Sequence, residues 1–292
     1  MQENLKETLK ESLSPIIIPD EFGYLGVFLT FACQLQCSYC INLEGGRKPA
    51  YSALTGAAWV EALNRIQTTP DRPITLQGGE ATLHPDFYQI VRGIRKDINI
   101  DLLTNCQFDV DEFCRELPPS RLRRTSPYAS IRVSFHPQTM SFDDTISKVL
   151  KLKERGYSVG VWIVDNPYDS LIKIYQMGFV MAGIDCRLKE YLDGKYYGTY
   201  KYMDWQGKSN VLCRPSELLI APDGSLHRCH GDLYGNKQPY GNVKDAEVKL
   251  EYVFKPCKKV ECSSCDIKIK TNRFQEYGHC AVTLCRRSHG RI

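Results

Sequence analysis

Three cysteines stand within eight residues near the start of the chain, in the stretch Leu29-Thr-Phe-Ala-Cys33-Gln-Leu-Gln-Cys37-Ser-Tyr-Cys40-Ile-Asn42. Thiolates at that spacing can wrap one face of a cubane iron–sulfur cluster and leave its fourth iron open, and an open iron is where chemistry can occur. Tetrahedral zinc would want a fourth ligand close by, and none is evident. A ferredoxin-type run would want four cysteines in a different pattern. A second group gathers toward the C-terminus: Cys213, Cys229, Cys257, Cys262, Cys265, Cys280 and Cys285. Only Cys106, Cys114 and Cys186 lie between the groups, where they read as small core fillers. The chain has 13 cysteines, and its first residues lack the basic start and apolar centre of an export signal. In a reducing compartment such clusters point to metal or catalysis rather than to disulfides.

Something must place those thiols. The hydrophobic pattern predicts six strand-then-helix units, with strands at 25–30, 74–77, 100–104, 131–135, 159–164 and 184–188. Helices are predicted over 56–68, from Pro85 onward, over 142–155 with Gly156 as its stop, and over 168–177. Strands separated by helices imply a parallel sheet, in which ligands bind at the C-terminal strand ends. The loops after the first four strands carry the distinctive residues: the cysteine triplet, Gly78-Gly79-Glu80, Thr104-Asn105 and Ser134-Phe-His136. Glycines let a backbone approach a ligand closely, and a carboxylate pairs with an ammonium. A doubly wound sheet is the competing architecture.

The Cys-x3-Cys-x2-Cys spacing, with Tyr39 before the third cysteine and Gly-Gly-Glu ending the second strand, resembles the radical S-adenosylmethionine (SAM) superfamily. That resemblance implies an α/β fold: a partial (β/α)6 TIM-type barrel as the radical SAM core, with a small Cys-rich C-terminal auxiliary-cluster domain. It implies a 4Fe–4S cluster on Cys33, Cys37 and Cys40, whose open iron chelates SAM. One electron then cleaves SAM to methionine and a 5′-deoxyadenosyl radical, which takes a hydrogen atom from the substrate. By the same resemblance Tyr39, Gly78, Gly79, Glu80, Thr104, Asn105 and Ser134 contact SAM. Gly160 and Trp162 lie where the family meets adenine, although core packing is the simpler reading of Trp162. His136 at the end of the fourth strand is expected to face the cavity as a catalytic residue, and Arg187 near the end of the sixth to serve as a substrate contact or base.

The C-terminal group has its own logic. Leu218-Leu-Ile and Ser225-Leu-His flank Pro222-Asp-Gly224, which is a hairpin signature. A hairpin would make Cys213 and Cys229 neighbours able to share a metal. Cys-x10-Gly-x4-Cys followed by Cys-x2-Cys resembles the SPASM and twitch extensions of radical SAM enzymes, which bind one or two auxiliary 4Fe–4S clusters. Cys213, Cys229, Cys262 and Cys265 match the four-cysteine twitch arrangement of some dehydrogenases. The full SPASM pattern is incomplete, and a second auxiliary cluster would draw on Cys257, Cys280 and Cys285. Zinc knuckles are the structural alternative.

Segments follow from these readings: an N-terminal extension at 1–20, the radical SAM core at 21–205 and the iron–sulfur domain at 206–292. The chain carries a net charge of +4, and residues 241–292 hold 11 Lys/Arg against 6 Asp/Glu. A basic tail can offset the charge of a thiolate-ligated cluster. No apolar run approaches the roughly 20 residues of a membrane span, so a cytoplasmic protein without a membrane partner is expected. The expected partners are a small-molecule or peptide substrate and an electron donor such as flavodoxin or ferredoxin. No nucleic-acid partner is expected, since only the basic tail speaks for RNA. Oxidation is the favoured reaction, with epimerisation as its enzymatic rival. A zinc-binding adaptor is the non-enzymatic rival, and it leaves Gly78-Gly79-Glu80 unexplained.

Overall fold

A computed structural model describes residues 13–43, 49–124, 128–191, 211–214, 216–237, 239–256 and 284–287; of residues 190, 211–213 and 284–287 only the backbone is described. The chain enters through β1 (Ile16–Ile17) and β2 (Tyr24–Thr30), then α1 (Gly56–Asn64), β3 (Ile66–Gln67) and β4 (Ile74–Gly78). It continues through α2 (Phe87–Gly93), β5 (Ile100–Thr104), α3 (Val110–Glu116), β6 (Ile131–Phe135), α4 (Phe142–Glu154), β7 (Val159–Asp165), α5 (Ile172–Met181) and β8 (Asp185–Glu190). Beyond these come β9 (Val211–Arg214), β10 (Glu217–Ile220), β11 (Ser225–His227), α6 (His230–Tyr234), β12 (Gly241–Asn242), β13 (Lys255–Pro256) and β14 (Leu284–Arg287).

The helices form where their sequences have both a cap and an apolar stripe. Ahead of α4, the Ser141 hydroxyl accepts from Asp144 N, with Asp143 and Asp144 in the first turn and Lys151 and Lys153 in the last. Those signs complement the helix dipole. Thr145, Val149 and Leu152 are the buried side of the same helix. At its end Gly156 takes φ +89°, a conformation that glycine adopts without Cβ strain.

Nine strands of the described residues form one sheet in the order β12-β11-β10-β2-β4-β5-β6-β7-β8. From β10 to β8 every neighbouring pair is parallel. From β2 onward these parallel strands lie in strict sequence order. A doubly wound sheet reverses its order at a switch point, so this sequential run excludes that architecture. Among the described residues the sheet is instead a partial β/α barrel, open between β8 and β12, as expected from the sequence. The predicted hairpin is present, with Leu219 opposite His227 and Ile220 opposite Leu226. It is not set apart from the core, because β10 pairs in parallel with β2 from Glu217↔Tyr24 to Ile220↔Val27. The barrel sheet therefore runs past the expected boundary at residue 205.

Along β6 burial alternates: Ile131, Val133 and Phe135 are buried among the helices, while Arg132 and Ser134 face the other way, into the barrel. Near the N-terminal ends of the strands that interior holds charge. Asp101, fully buried, accepts from Arg132 Nη2 at 2.9 Å and from Arg124 Nη1. The Tyr128 ring has the guanidiniums of Arg124, Arg132 and Arg187 within 5.0–5.1 Å of its centroid. No helix of the described residues is long and apolar enough to cross a membrane.

Candidate functional site

Past the C-terminal end of β2 the chain runs straight into the cysteine loop. The segment 30–32 is zipped to the Gly-Gly-Glu turn: Gly79 N donates to Thr30 O at 2.9 Å and Glu80 N to Ala32 O at 2.8 Å. A Cβ at Gly78 would overlap the Thr30 carbonyl oxygen, and one at Gly79 would overlap those of Phe31 and Ala32. The two glycines are thus required by close approach of backbone to backbone. Beyond Cys40, Asn42 Nδ2 donates to Gly78 O at 3.0 Å and ties the far end of the loop to the same turn.

Glu80 is the centre of a buried network. Its Oε1 accepts from Thr82 N at 3.1 Å, Thr82 Oγ1 at 2.7 Å and Thr104 Oγ1 at 2.9 Å, and its Oε2 from Asn105 N at 2.6 Å. Burial pushes its carboxyl above the ordinary range, and the same four donors pull it back. Oε2 keeps lone-pair capacity after accepting one bond. The carboxylate therefore fastens the end of β5 to the end of β4 with an acceptor position to spare.

The thiols sit amid donors. Cys33 Sγ accepts from Leu35 N at 3.4 Å and from Asn105 Nδ2 at 3.7 Å. Cys37 Sγ lies 3.7 Å from Thr139 Oγ1. Cys33 and Cys40 are half-buried and Cys37 is buried. On the side of β6, Tyr39 Oη is 3.3 Å from His136 Nδ1, with ring centroids 5.7 Å apart. Burial lowers the pKa of His136 to about 4, so the imidazole is neutral at pH 7. Ser38 reaches Gln138 Oε1 through its N at 3.3 Å and its Oγ at 3.0 Å. Tyr39, Gly78, Gly79, Glu80, Thr104, Asn105 and His136 thus form one constellation around the triplet.

Arg187 belongs to a different region. Its Nε meets Asp185 Oδ2 at 2.9 Å, and its guanidinium lies 5.8 Å from the Trp162 ring. A guanidinium fixed on a carboxylate is a cation suited to an anionic contact, not a base. The register puts Ser134 level with Trp162, and Trp162 level with Arg187, on the barrel's inner face. Trp162 is buried against Tyr128, with ring centroids 5.2 Å apart, which makes it core packing. Cys106 and Cys186 are buried and Cys114 half-buried, as expected of core fillers.

Among the described residues no set of three or more His, Cys, Asp or Glu converges tightly enough to ligate a single metal ion. A cubane takes one thiolate at each iron corner, so its ligands stand further apart than those of one ion. The donor set, three thiols on one loop with N–H groups aimed at sulfur, fits such a cluster.

The C-terminal cysteines are only partly described. Cys213 lies in β9, where its backbone stands opposite Lys255 of β13 and Cys285 of β14. Cys229 caps α6, its Sγ accepting from Asp232 N at 3.4 Å. Arg228 Nη2 donates to Pro256 O at 3.2 Å, which links the end of the hairpin to the β13–β9 ladder. Cys257, Cys262, Cys265 and Cys280 lie outside the described residues.

Sequence reasoning missed Asn42, Gln138 and Thr139. Asn42 was adjacent to the triplet and could have been flagged as a loop tie. Gln138 and Thr139 reach the loop only because β6 ends beside it, about 100 positions away in the chain, as the Ser38–Gln138 separation shows.

Strand order, opening and thiol loop together define a partial β/α barrel with its site at the C-terminal strand ends. Residues 27–166 match the sequence profile of the Radical SAM superfamily, and this part of the chain is a radical SAM domain. A 96-residue stretch is 28% identical to GTP 3′,8-cyclase of Chlorobaculum tepidum, covering 32% of this chain and 28% of that protein. The match thus spans little more than a quarter of that curated relative. The fold is similar to anSMEcpe with bound AdoMet and Kp18Cys peptide, with a TM-score of 0.54 at 16% identity over 76% of this chain and 78% of that one. It is also similar to Streptococcus suis SuiB bound to precursor peptide SuiA, with a TM-score of 0.55 at 13% identity over 80% and 63%.

Proposed function

We propose that Cys33, Cys37 and Cys40 hold a 4Fe–4S cluster and that the chain uses it on SAM to begin a hydrogen-abstraction reaction. When bound, the cluster supplies the electron that splits SAM and so generates the radical that attacks the substrate. The observation that carries this reading is the union of triplet and Gly-Gly-Glu turn: Gly79 N and Glu80 N donate to the carbonyls of Thr30 and Ala32, in the segment that leads into Cys33.

In this reading the protein's own residues bind and orient. The Gly78–Glu80 turn and the spare acceptor position on Glu80 receive the SAM amino group. Thr104, Asn105 and Ser134 flank SAM from the ends of β5 and β6. Tyr39 closes the loop against neutral His136, which faces the substrate as a polar group without charge. Arg187 with Asp185 marks the wall where an anionic part of the substrate would lie.

The substrate is a small molecule or a peptide, and two structures of similar fold are bound to peptides, which supports the second. The reaction is an oxidation assisted by an auxiliary 4Fe–4S cluster on Cys213, Cys229, Cys262 and Cys265, with an external donor such as flavodoxin or ferredoxin. Cys285 is a further candidate ligand because the ladder places it opposite Cys213.

The test is anaerobic reconstitution of the full chain, followed by reduction with SAM. The wild type should form 5′-deoxyadenosine and hold about eight irons, four for each cubane. Replacing Cys213, Cys229, Cys262 and Cys265 by Ala should remove about four irons and the oxidised product while SAM cleavage persists. Zinc in place of iron at the triplet would refute the enzymatic reading, and an epimer as product would refute the oxidative role alone.

A further inference from the structure

We propose that Asn105 is a positioning residue that sets the reduction potential of the cluster held by Cys33, Cys37 and Cys40, by donating its side-chain amide to the Cys33 sulfur. The inference rests on the function proposed above but assigns Asn105 a task distinct from touching SAM.

The geometry fixes which end of the amide faces the thiol. Gln107 N donates to Asn105 Oδ1 at 3.1 Å, and a backbone N–H can only donate, so that atom is the carbonyl oxygen. Gln34 Nε2 donates to the same oxygen at 3.2 Å. The amide nitrogen is left facing Cys33 Sγ at 3.7 Å, a distance suited to N–H···S. The main chain is held too. Asn105 N donates to Glu80 Oε2 at 2.6 Å, and the next residue, Cys106, is fully buried with φ +58°. A left-handed residue that is not glycine persists only where its surroundings hold it. Here Cys106 N also donates to Thr104 Oγ1 at 3.0 Å.

Cys33 thus receives two N–H donors, from Leu35 and Asn105. Cys37 has the hydroxyl of Thr139 beside it, and that hydroxyl also reaches His136 O at 3.4 Å. A hydrogen bond to a ligating sulfur stabilises the cluster's reduced, more anionic form and raises its potential. Leu35 N is backbone and present whatever the side chain. Asn105 is therefore the adjustable donor, and Glu80 acts on the cluster through it.

The experiment uses the full chain, reconstituted anaerobically, and its Asn105→Ala and Asn105→Asp variants. Asn105→Ala removes the donor. Asn105→Asp keeps the oxygen that Gln107 N needs and puts an acceptor against sulfur, so it covers the case in which the alanine variant misfolds. The readout is a redox titration followed by electron paramagnetic resonance, using the signal that changes when SAM is added. Iron content should stay at the wild-type level. At a fixed potential the reduced-to-oxidised ratio should fall about tenfold in Asn105→Ala, a shift of about 59 mV for a one-electron couple. It should fall further in Asn105→Asp. A midpoint unchanged in whichever variants keep their iron overturns the proposal while leaving the function intact, since a merely structural role would not move a potential. Absence of any SAM-sensitive signal from the wild type would overturn the function, and this inference with it.

Discussion

The two ends of the barrel handle polar groups in opposite ways. At the N-terminal end of the strands, the Asp101 carboxylate is shared by two guanidiniums deep in the interior, and the same two arginines, Arg124 and Arg132, lie over the Tyr128 ring. At the C-terminal end the polar groups are mostly neutral: hydroxyls, amides and backbone N–H groups directed at thiols or at Glu80. Buried ions lock each other, because removing one strands its partner. Neutral donors can be aimed at something else that carries charge. In the function proposed above, one end serves stability and the other receives a charged guest, as in barrels whose chemistry sits at the C-terminal face.

The comparison breaks most visibly at the thiols. Replacing Cys33, Cys37 and Cys40 together by Ala should abolish formation of 5′-deoxyadenosine while thermal stability of the iron-free protein changes little. The three lie on a loop, and only Cys37 is buried. Undiminished SAM cleavage in that variant would show that the site lies elsewhere.

Next comes the locked end. Asp101→Ala leaves Arg124 and Arg132 buried without their shared partner and should cost about 3–5 kcal/mol, as breaking a buried pair does. Denaturant unfolding measures it. A loss below about 1 kcal/mol would mean that water or Tyr128 compensates, and the contrast between the ends would weaken.

Acid separates the ends by a different route. His136 has its pKa lowered by burial from an ordinary 6.5 to about 4. A group whose folded pKa is depressed binds protons more readily when unfolded. Its contribution is therefore intact above pH 6.5 and is lost as pH falls toward 4. The wild type should lose stability across that window, and His136→Gln should lose less. Identical acid profiles for the two proteins would place the acid-sensitive group elsewhere.

How much of this was legible in the sequence follows from what is local. The strand positions and the triplet could be read because each is a contiguous run. Helix α1 was expected to reach residue 68 but ends at Asn64, because Ile66 leaves the helix to pair with Ile16 in a strand. Helix α5 was expected four residues early, since the exposed Ile174, Met177, Val180 and Met181 blur its apolar stripe. Helix α3 went unread, being short with only Val110 and Phe113 buried. The pairing of β10 with β2 was invisible, because no local pattern records a partner about 190 residues away. The site divides in the same way. Gly78, Gly79 and Glu80 announced themselves as a motif, whereas Thr139 and Gln138 are ordinary loop residues until folding brings them to the triplet.

The smallest effect tests the neutral end directly. Asn42 Nδ2 donates to Gly78 O at 3.0 Å, a single neutral bond between the cysteine loop and the Gly-Gly-Glu turn. Gly78 is half-buried, so once the amide is gone water can reach its carbonyl. Asn42→Ala should therefore cost only about 0.5–1.5 kcal/mol, the net worth of an ordinary hydrogen bond, because the carbonyl is not left stranded as Arg124 and Arg132 are by loss of Asp101. The same change should act on function more than on stability. It frees one end of the loop that carries all three thiols, so SAM affinity should fall severalfold while iron content holds. Calorimetric unfolding and SAM binding to the reconstituted protein measure the two quantities. A stability loss as large as that of Asp101→Ala would show that the two ends are locked alike, and that the contrast between them is one of composition only.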